Sequence, residues 1–132
     1  MVAGMANLMP SLMFVGDQCG RAGEAMELYV ATFPHSEVVN VKRADHGILH
    51  AHTRIAGRDV TFMDSPGPHD FTFTPAISLT VELPDETSID AAWAALQDGA
   101  TVLMPLGAYD FADRFGWLQD RFGVTWQLIL AD

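Results

Sequence analysis

Hydrophobic positions along this chain fall into short blocks, most with a period of two and two with a period near 3.6. Pro10 to Val15 is a mostly apolar run before Gly16-Asp17 and predicts a short buried strand. Ala22, Met26, Tyr29 and Phe33 recur at i, i+4, i+7 and i+11, which predicts a helix from about Gly20 to Phe33, stopped by Pro34. Val38, Val39 and Val41 predict another strand. His50 to Ile55 and Val60 to Met63 flank Ala56-Gly57-Arg58 and predict a hairpin. Asp64 to Phe73, with Pro66, Gly67 and Pro68, reads as a linker. The same order then returns. Ala76 to Val81 alternates as a strand, and Thr87 with Asp90 resembles a capping box opening a second helix. That helix should bury Ile89, Ala92, Trp93 and Leu96 and end at Gly99. Thr101 to Met104 is the next strand, and Phe115 to Ile129 should hold a hairpin turning near Asp120 to Gly123.

The two halves also match in register. Val60-Thr61-Phe62-Met63 corresponds to Val124-Thr125-Trp126-Gln127 at an offset of 64, as do Glu37-Val38 to Thr101-Val102 and Tyr29 to Trp93. The first strands pair at an offset of 66. The prediction is an α+β chain of two tandem β-α-β-β-β modules, at about 9–66 and 73–131, within a single domain spanning residues 1–132. Each sheet should give its greasier parity to its helix: Ile77, Leu79 and Val81, and Val124, Trp126 and Leu128. Ala76, Ser78, Thr80, Thr125 and Gln127 then line the opposite, cleft-like curved face, joined by His50, His52 and Arg54. An edge with no ligand would produce the same polarity.

Composition narrows the classes. The 132 residues are 49% hydrophobic, enough to fill a core, so disorder is excluded. Seven basic against 17 acidic residues give a net charge of −10, which repels nucleic acid and anionic membrane surfaces. The single cysteine, Cys19, cannot form an internal disulfide, in keeping with a cytoplasmic location. No apolar run approaches the ~20 residues of a membrane span. Met1 to Leu8 lacks the basic flank and length of a signal peptide.

Gly116-Trp117-Leu118-Gln119-Asp120-Arg121-Phe122-Gly123-Val124-Thr125-Trp126-Gln127 resembles the C-terminal signature of the PhnB-like branch of the vicinal oxygen chelate superfamily. That superfamily includes glyoxalase I, extradiol dioxygenases and bleomycin-resistance proteins. Phe73 to Ser78 resembles the start of the second module, and Met26 through Ser36 resembles the first helix and its exit. The resemblance covers roughly Pro10 to Leu130. It implies a glyoxalase-like fold of paired modules and a homodimer that takes a small-molecule ligand. The branch often carries a demethylubiquinone methyltransferase label, yet no Gly-rich turn of a methyl-donor site lies between a strand and a helix here.

Metal-dependent relatives use four ligands, two at the starts of the modules' first strands and two on their last strands. Projected onto this chain, these become Pro10, Ala76, Met63 and Gln127. Proline and alanine offer no donor, and a thioether with one amide oxygen does not hold Zn, Ni or Fe(II), so no metal is expected there and no cofactor is implied. Leu12 and Phe14 share parity with Pro10 and are expected, with Met63, as the apolar floor of the cleft. Ser78, Thr125 and Gln127 would orient polar groups. His50 and His52, two apart on one strand face, are candidate general bases or a weak metal pair, against a bland reading as half-exposed polar residues. His35, His46 and His69 should be solvated. Cys19 precedes the first helix and reads as an ordinary buried thiol or as a thiolate. Gly107 to Asp113 is expected to be a lid or a dimer contact. The leading reading is metal-free ligand binding. The alternatives are a superfamily enzyme (isomerase, lyase or dioxygenase type) and an interaction protein.

Overall fold

A computed structural model describes residues 4–132; part of the Met1 to Leu8 stretch therefore lies outside the described residues. The chain divides into two compact units, the first ending at Asp70 and the second running Phe71–Asp132. The first contains β1 (Ser11–Phe14), a 3₁₀ turn (Gly16–Gln18), α1 (Ala22–Thr32), β2 (Glu37–Ala44), β3 (Gly47–Ile55) and β4 (Arg58–Asp64). The second contains β5 (Leu79–Leu83), α2 (Glu86–Gln97), β6 (Thr101–Tyr109), β7 (Ala112–Gln119) and β8 (Thr125–Leu130). Each unit is thus a β-α-β-β-β module. The sheet orders are β1-β4-β3-β2 and β5-β8-β7-β6, the same topology twice, with one parallel pair at the first strand of each module.

The helices bury the faces their periodicity predicts. Ala22, Met26 and Tyr29 of α1 are buried, as is Phe33 beyond its end, and so are Ile89, Ala92, Trp93 and Leu96 of α2. Beneath α1, Phe62 sits 6.0 Å from the rings of both Phe14 and Tyr29. Beneath α2, Gly116 is obligatory: a Cβ there would meet Trp93 at 2.5 Å. A strand glycine weakens its own strand, and here it makes room for an indole.

Helix starts depart from the sequence signal. The residue before α2 is Asp85, whose Oδ1 accepts from the Ser88 N–H at 2.7 Å, so the cap lies two residues before the expected Thr87. Asp90 instead accepts from Arg114 Nε at 2.7 Å. At α1, Arg21 makes no side-chain cap. Asp64, at the end of β4 and 1% exposed, takes that role from 42 residues away. Its Oδ1 accepts from Gly20 N at 2.7 Å and Ala22 N at 3.1 Å, and its Oδ2 from Ile48 N at 2.8 Å. Asp120 works similarly in the second unit, accepting from Phe122 N, Val124 N and Trp126 Nε1 at 2.9 to 3.0 Å. Both satisfy buried donors that would otherwise lack partners.

Several strand bounds also move. The second module's first strand is Leu79–Leu83, not Ala76 to Val81, and Ile77 is 72% exposed ahead of it, so it does not pack on the helix. Gly107 to Asp113 is not a lid loop. It is a hairpin tip, with β6 running to Tyr109 and β7 starting at Ala112.

Candidate functional site

Each sheet turns one face to its helix, strand register assigns every residue to a face, and the opposite face is half-exposed apart from Phe115 and Thr125, which are buried. In the first unit, β4 pairs Phe62 with Leu12 and Met63 with Met13. Phe62 lies under α1, so Leu12 and Phe14 lie there too; Phe14 is 0% exposed. They are core residues, and the expectation that they floor a cleft fails by one position. The open parity of β1 is Ser11 and Met13. The cause is the loop after the strand. Met13 pairs with Met63 and Thr80 pairs with Gln127, so 127 − 63 is 64 but 80 − 13 is 67, where the sequence comparison took 66. A slip of one residue moves a whole strand to its other face.

The rest of the first unit's open face comes from β4 and β3. β4 contributes Asp59, Thr61 and Met63, and β3 contributes His50, His52 and Arg54, while Ala51, Thr53 and Ile55 are buried on the helix side. A register irregularity near Leu49 and His50 leaves both exposed and breaks the alternation there. The two histidines differ in setting. His50 is exposed, whereas His52 Nε2 lies 2.8 Å from Asp59 Oδ1. Asp59 Oδ2 accepts from Asn7 Nδ2 at 3.1 Å, and Arg54 Nε stands 3.7 Å from Oδ1 while its Nη1 reaches Glu37 at 3.2 Å. The hydrogen bond from His52, and after it that from Asn7, hold the Asp59 carboxyl below its ordinary 3.8. Among the remaining histidines, His69 shares a 2.7 Å hydrogen bond with Ser65, and the Nε2 of His46 is buried with no partner among the described residues, so neither is simply solvated.

In the second unit the open face carries Thr80 of β5, Thr125 and Gln127 of β8, and Phe115, Trp117 and Gln119 of β7. Trp117 is the register partner of Gln127, and its Nε1 donates to Ser78 Oγ at 3.1 Å. Thr125 is 3% exposed and its Oγ1 has no partner among the described residues. Toward the hairpin tip, Phe111 packs edge-on to Phe115 at 4.9 Å and stacks on Tyr109 at 5.6 Å. Sequence reasoning missed this aromatic trio because hairpin pairing, not spacing, assembles it.

The four projected metal positions do not suit a divalent ion. Pro10 and Ala76 carry no donor atom and both lie outside the strands, leaving only the Met63 thioether and the Gln127 amide. Among the described residues, no three His, Cys, Asp or Glu side chains gather in a group able to hold a metal. Cys19 is partly buried, between the 3₁₀ turn and α1. No helix among the described residues is long and apolar enough to cross a membrane.

Two helices and two four-stranded sheets in this order define a glyoxalase-fold protein. A glyoxalase/bleomycin resistance protein of Albidiferax ferrireducens superposes with a TM-score of 0.60 over 93% of this chain and 98% of that one, at 12% identity. The chain belongs to the PhnB-like family whose sequence model carries the description 3-demethylubiquinone-9 3-methyltransferase and matches residues 6–129. A PhnB protein of Bacillus cereus is 41% identical, with a TM-score of 0.88, and is covered over its whole length by 96% of this chain. An uncharacterized protein of Mycobacterium bovis is 35% identical over 118 residues, 81% of this chain and 74% of that protein.

Proposed function

We propose that this protein binds a small, partly apolar molecule on the open face of a sheet, as a single glyoxalase-like domain that needs no metal at the projected positions. One observation carries the reading. Each sheet spends its apolar parity under its own helix and leaves the other face to mixed side chains, with Met13 and Met63 beside Thr61 and His52 in one unit, and Trp117 beside Ser78 and Gln127 in the other. Apolar contact area with a few polar orienting groups is what small-molecule recognition requires. The family name speaks of methyl transfer, but the glycines between β1 and the first turn of α1, Gly16, Gly20 and Gly23, do not have the G-x-G-x-x-G spacing of a nucleotide-binding turn, and the segment between β5 and α2 has no glycine. A homodimer in the cytoplasm is part of the proposal, supported by the family and by the lack of disulfide chemistry.

Native mass spectrometry of untagged protein, purified without added metal or chelator, tests this first. A dimer at the bare polypeptide mass, followed by saturable ligand-induced amide shifts around Met63 or around Gln127, is expected. One divalent ion per subunit would overturn the metal-free reading. Loss of binding of about tenfold in Met63→Ala or Gln127→Ala would place the ligand. A second reading, an enzyme with a histidine base, is favoured by the contact between His52 and Asp59.

A further inference from the structure

The first unit's open face separates its two histidines chemically. Asp59 is an ionised acceptor, with both oxygens already engaged by His52 and Asn7 and a guanidinium nearby. An ionised carboxylate can only accept, so in neutral His52 the proton sits on Nε2. Nδ1 is left bare, and His52 makes no other hydrogen bond among the described residues. Thr61 lies directly across from His52, and Met63 follows Thr61 on the same face, with Met13 beside it. His50, by contrast, is exposed and has no carboxylate partner among the described residues.

We propose that His52 is the proton acceptor of this face and Asp59 its positioning residue, acting on a small weakly acidic hydroxy compound, a phenol or enol, whose body rests on Met13 and Met63. The proposal rests on the ligand-binding reading and deepens it. Imidazole bases work best on acids of comparable strength, and phenolic and enolic O–H groups are of that kind when conjugated to a withdrawing group. In the step, the ligand O–H bond breaks, its electron pair stays on oxygen, and the proton passes to Nδ1. The resulting imidazolium keeps its Nε2–H on Asp59, whose negative charge balances it. Arg54, Glu37, Lys42 and His50 are the other charged or titratable groups on this face of β2 and β3, and Arg54 is partly neutralised by Glu37.

Nitrogen-proton correlation spectra of protein labelled with ¹⁵N-histidine at pH 8 test the dyad without any ligand. The expected His52 signature is a protonated Nε2 and a bare Nδ1. Asp59→Ala should turn it into a tautomer mixture, Asp59→Glu should restore it, and His50→Gln should leave it unchanged. A wild-type His52 that is mixed or protonated on Nδ1 overturns the proposal, whatever the variants do. With 4-nitrophenol as probe at pH 6, the bound dye should show at least threefold more phenolate absorbance than the free dye. His52→Gln should abolish this excess while retaining most of the binding. Bound dye ionised no more than free dye also overturns the proposal. If the dye does not bind at all, the ligand-binding reading fails for this class and the proton transfer with it, and the tautomer spectrum still reports the dyad separately.

Discussion

Replacing Asp64 by alanine tests the account of how the first module is assembled. The side chain joins the end of β4 to the start of α1 and the start of β3 through three backbone N–H groups, at 2.7, 3.1 and 2.8 Å. The residue is 1% exposed, so water cannot simply replace it. A hydrogen bond to a charged acceptor contributes roughly 1.5–3 kcal/mol, and a buried donor left alone costs about 1–3. Three of them bound the loss near 9 kcal/mol, and partial collapse or an entering water brings the expected value to about 3–5. At this chain length that corresponds to a fall in Tm of roughly 11–18 °C. Asp64→Asn keeps an oxygen for Gly20 and Ala22 but turns an amide donor toward the Ile48 N–H. Its loss should be about half as large. Urea unfolding followed by tryptophan fluorescence and far-ultraviolet dichroism measures both. A loss below about 1 kcal/mol in Asp64→Ala, or equal losses in the two variants, would refute the idea that a distant carboxylate caps α1.

Gly116→Ala drives a methyl into the Trp93 ring and should cost about 1–3 kcal/mol by overpacking, read from the unfolding midpoint, with Gly116→Ala/Trp93→Leu recovering part of it. Thr125→Val removes a buried hydroxyl that has no partner among the described residues, so equal or greater stability is expected, and a clear loss would show a partner for that oxygen. Ala56 lies at φ 52° and Gly57 at φ 79° in the two-residue turn between β3 and β4, so Ala56→Asn should stabilise by a few tenths to about 1 kcal/mol in thermal unfolding. Asp59 and Asp85 both have carboxyls held below 3.8, by hydrogen bonds from His52 and from the Ser88 backbone respectively. Their folded-state values are depressed, so their stabilisation is full above 3.8 and disappears as pH falls through the lower folded values. The variants Asp59→Asn and Asp85→Asn should therefore flatten the acid limb of the stability curve below pH 3.8.

The sequence by itself determined the element types, their order and their duplication. A helix or strand packed on one neighbour writes its period into the chain, so Ile89, Ala92, Trp93 and Leu96 announce one buried stripe whatever lies beneath it. The correspondence of Met63 with Gln127 survives because hairpins transmit register locally. The face of β1 was another matter. That strand is joined to β4 only by parallel pairing across most of the module, so a single residue of uncertainty after it exchanged Leu12 and Phe14 for Met13. Long-range polar contacts were equally invisible. Asp64 reads as a linker residue and nothing in the sequence singles out Asp59, because hydrogen bonding depends on angstroms and carries no period in sequence. Tertiary structure alone brought Asp64 to the head of α1 and Asp59 to His52, and with that contact distinguished one histidine from the other.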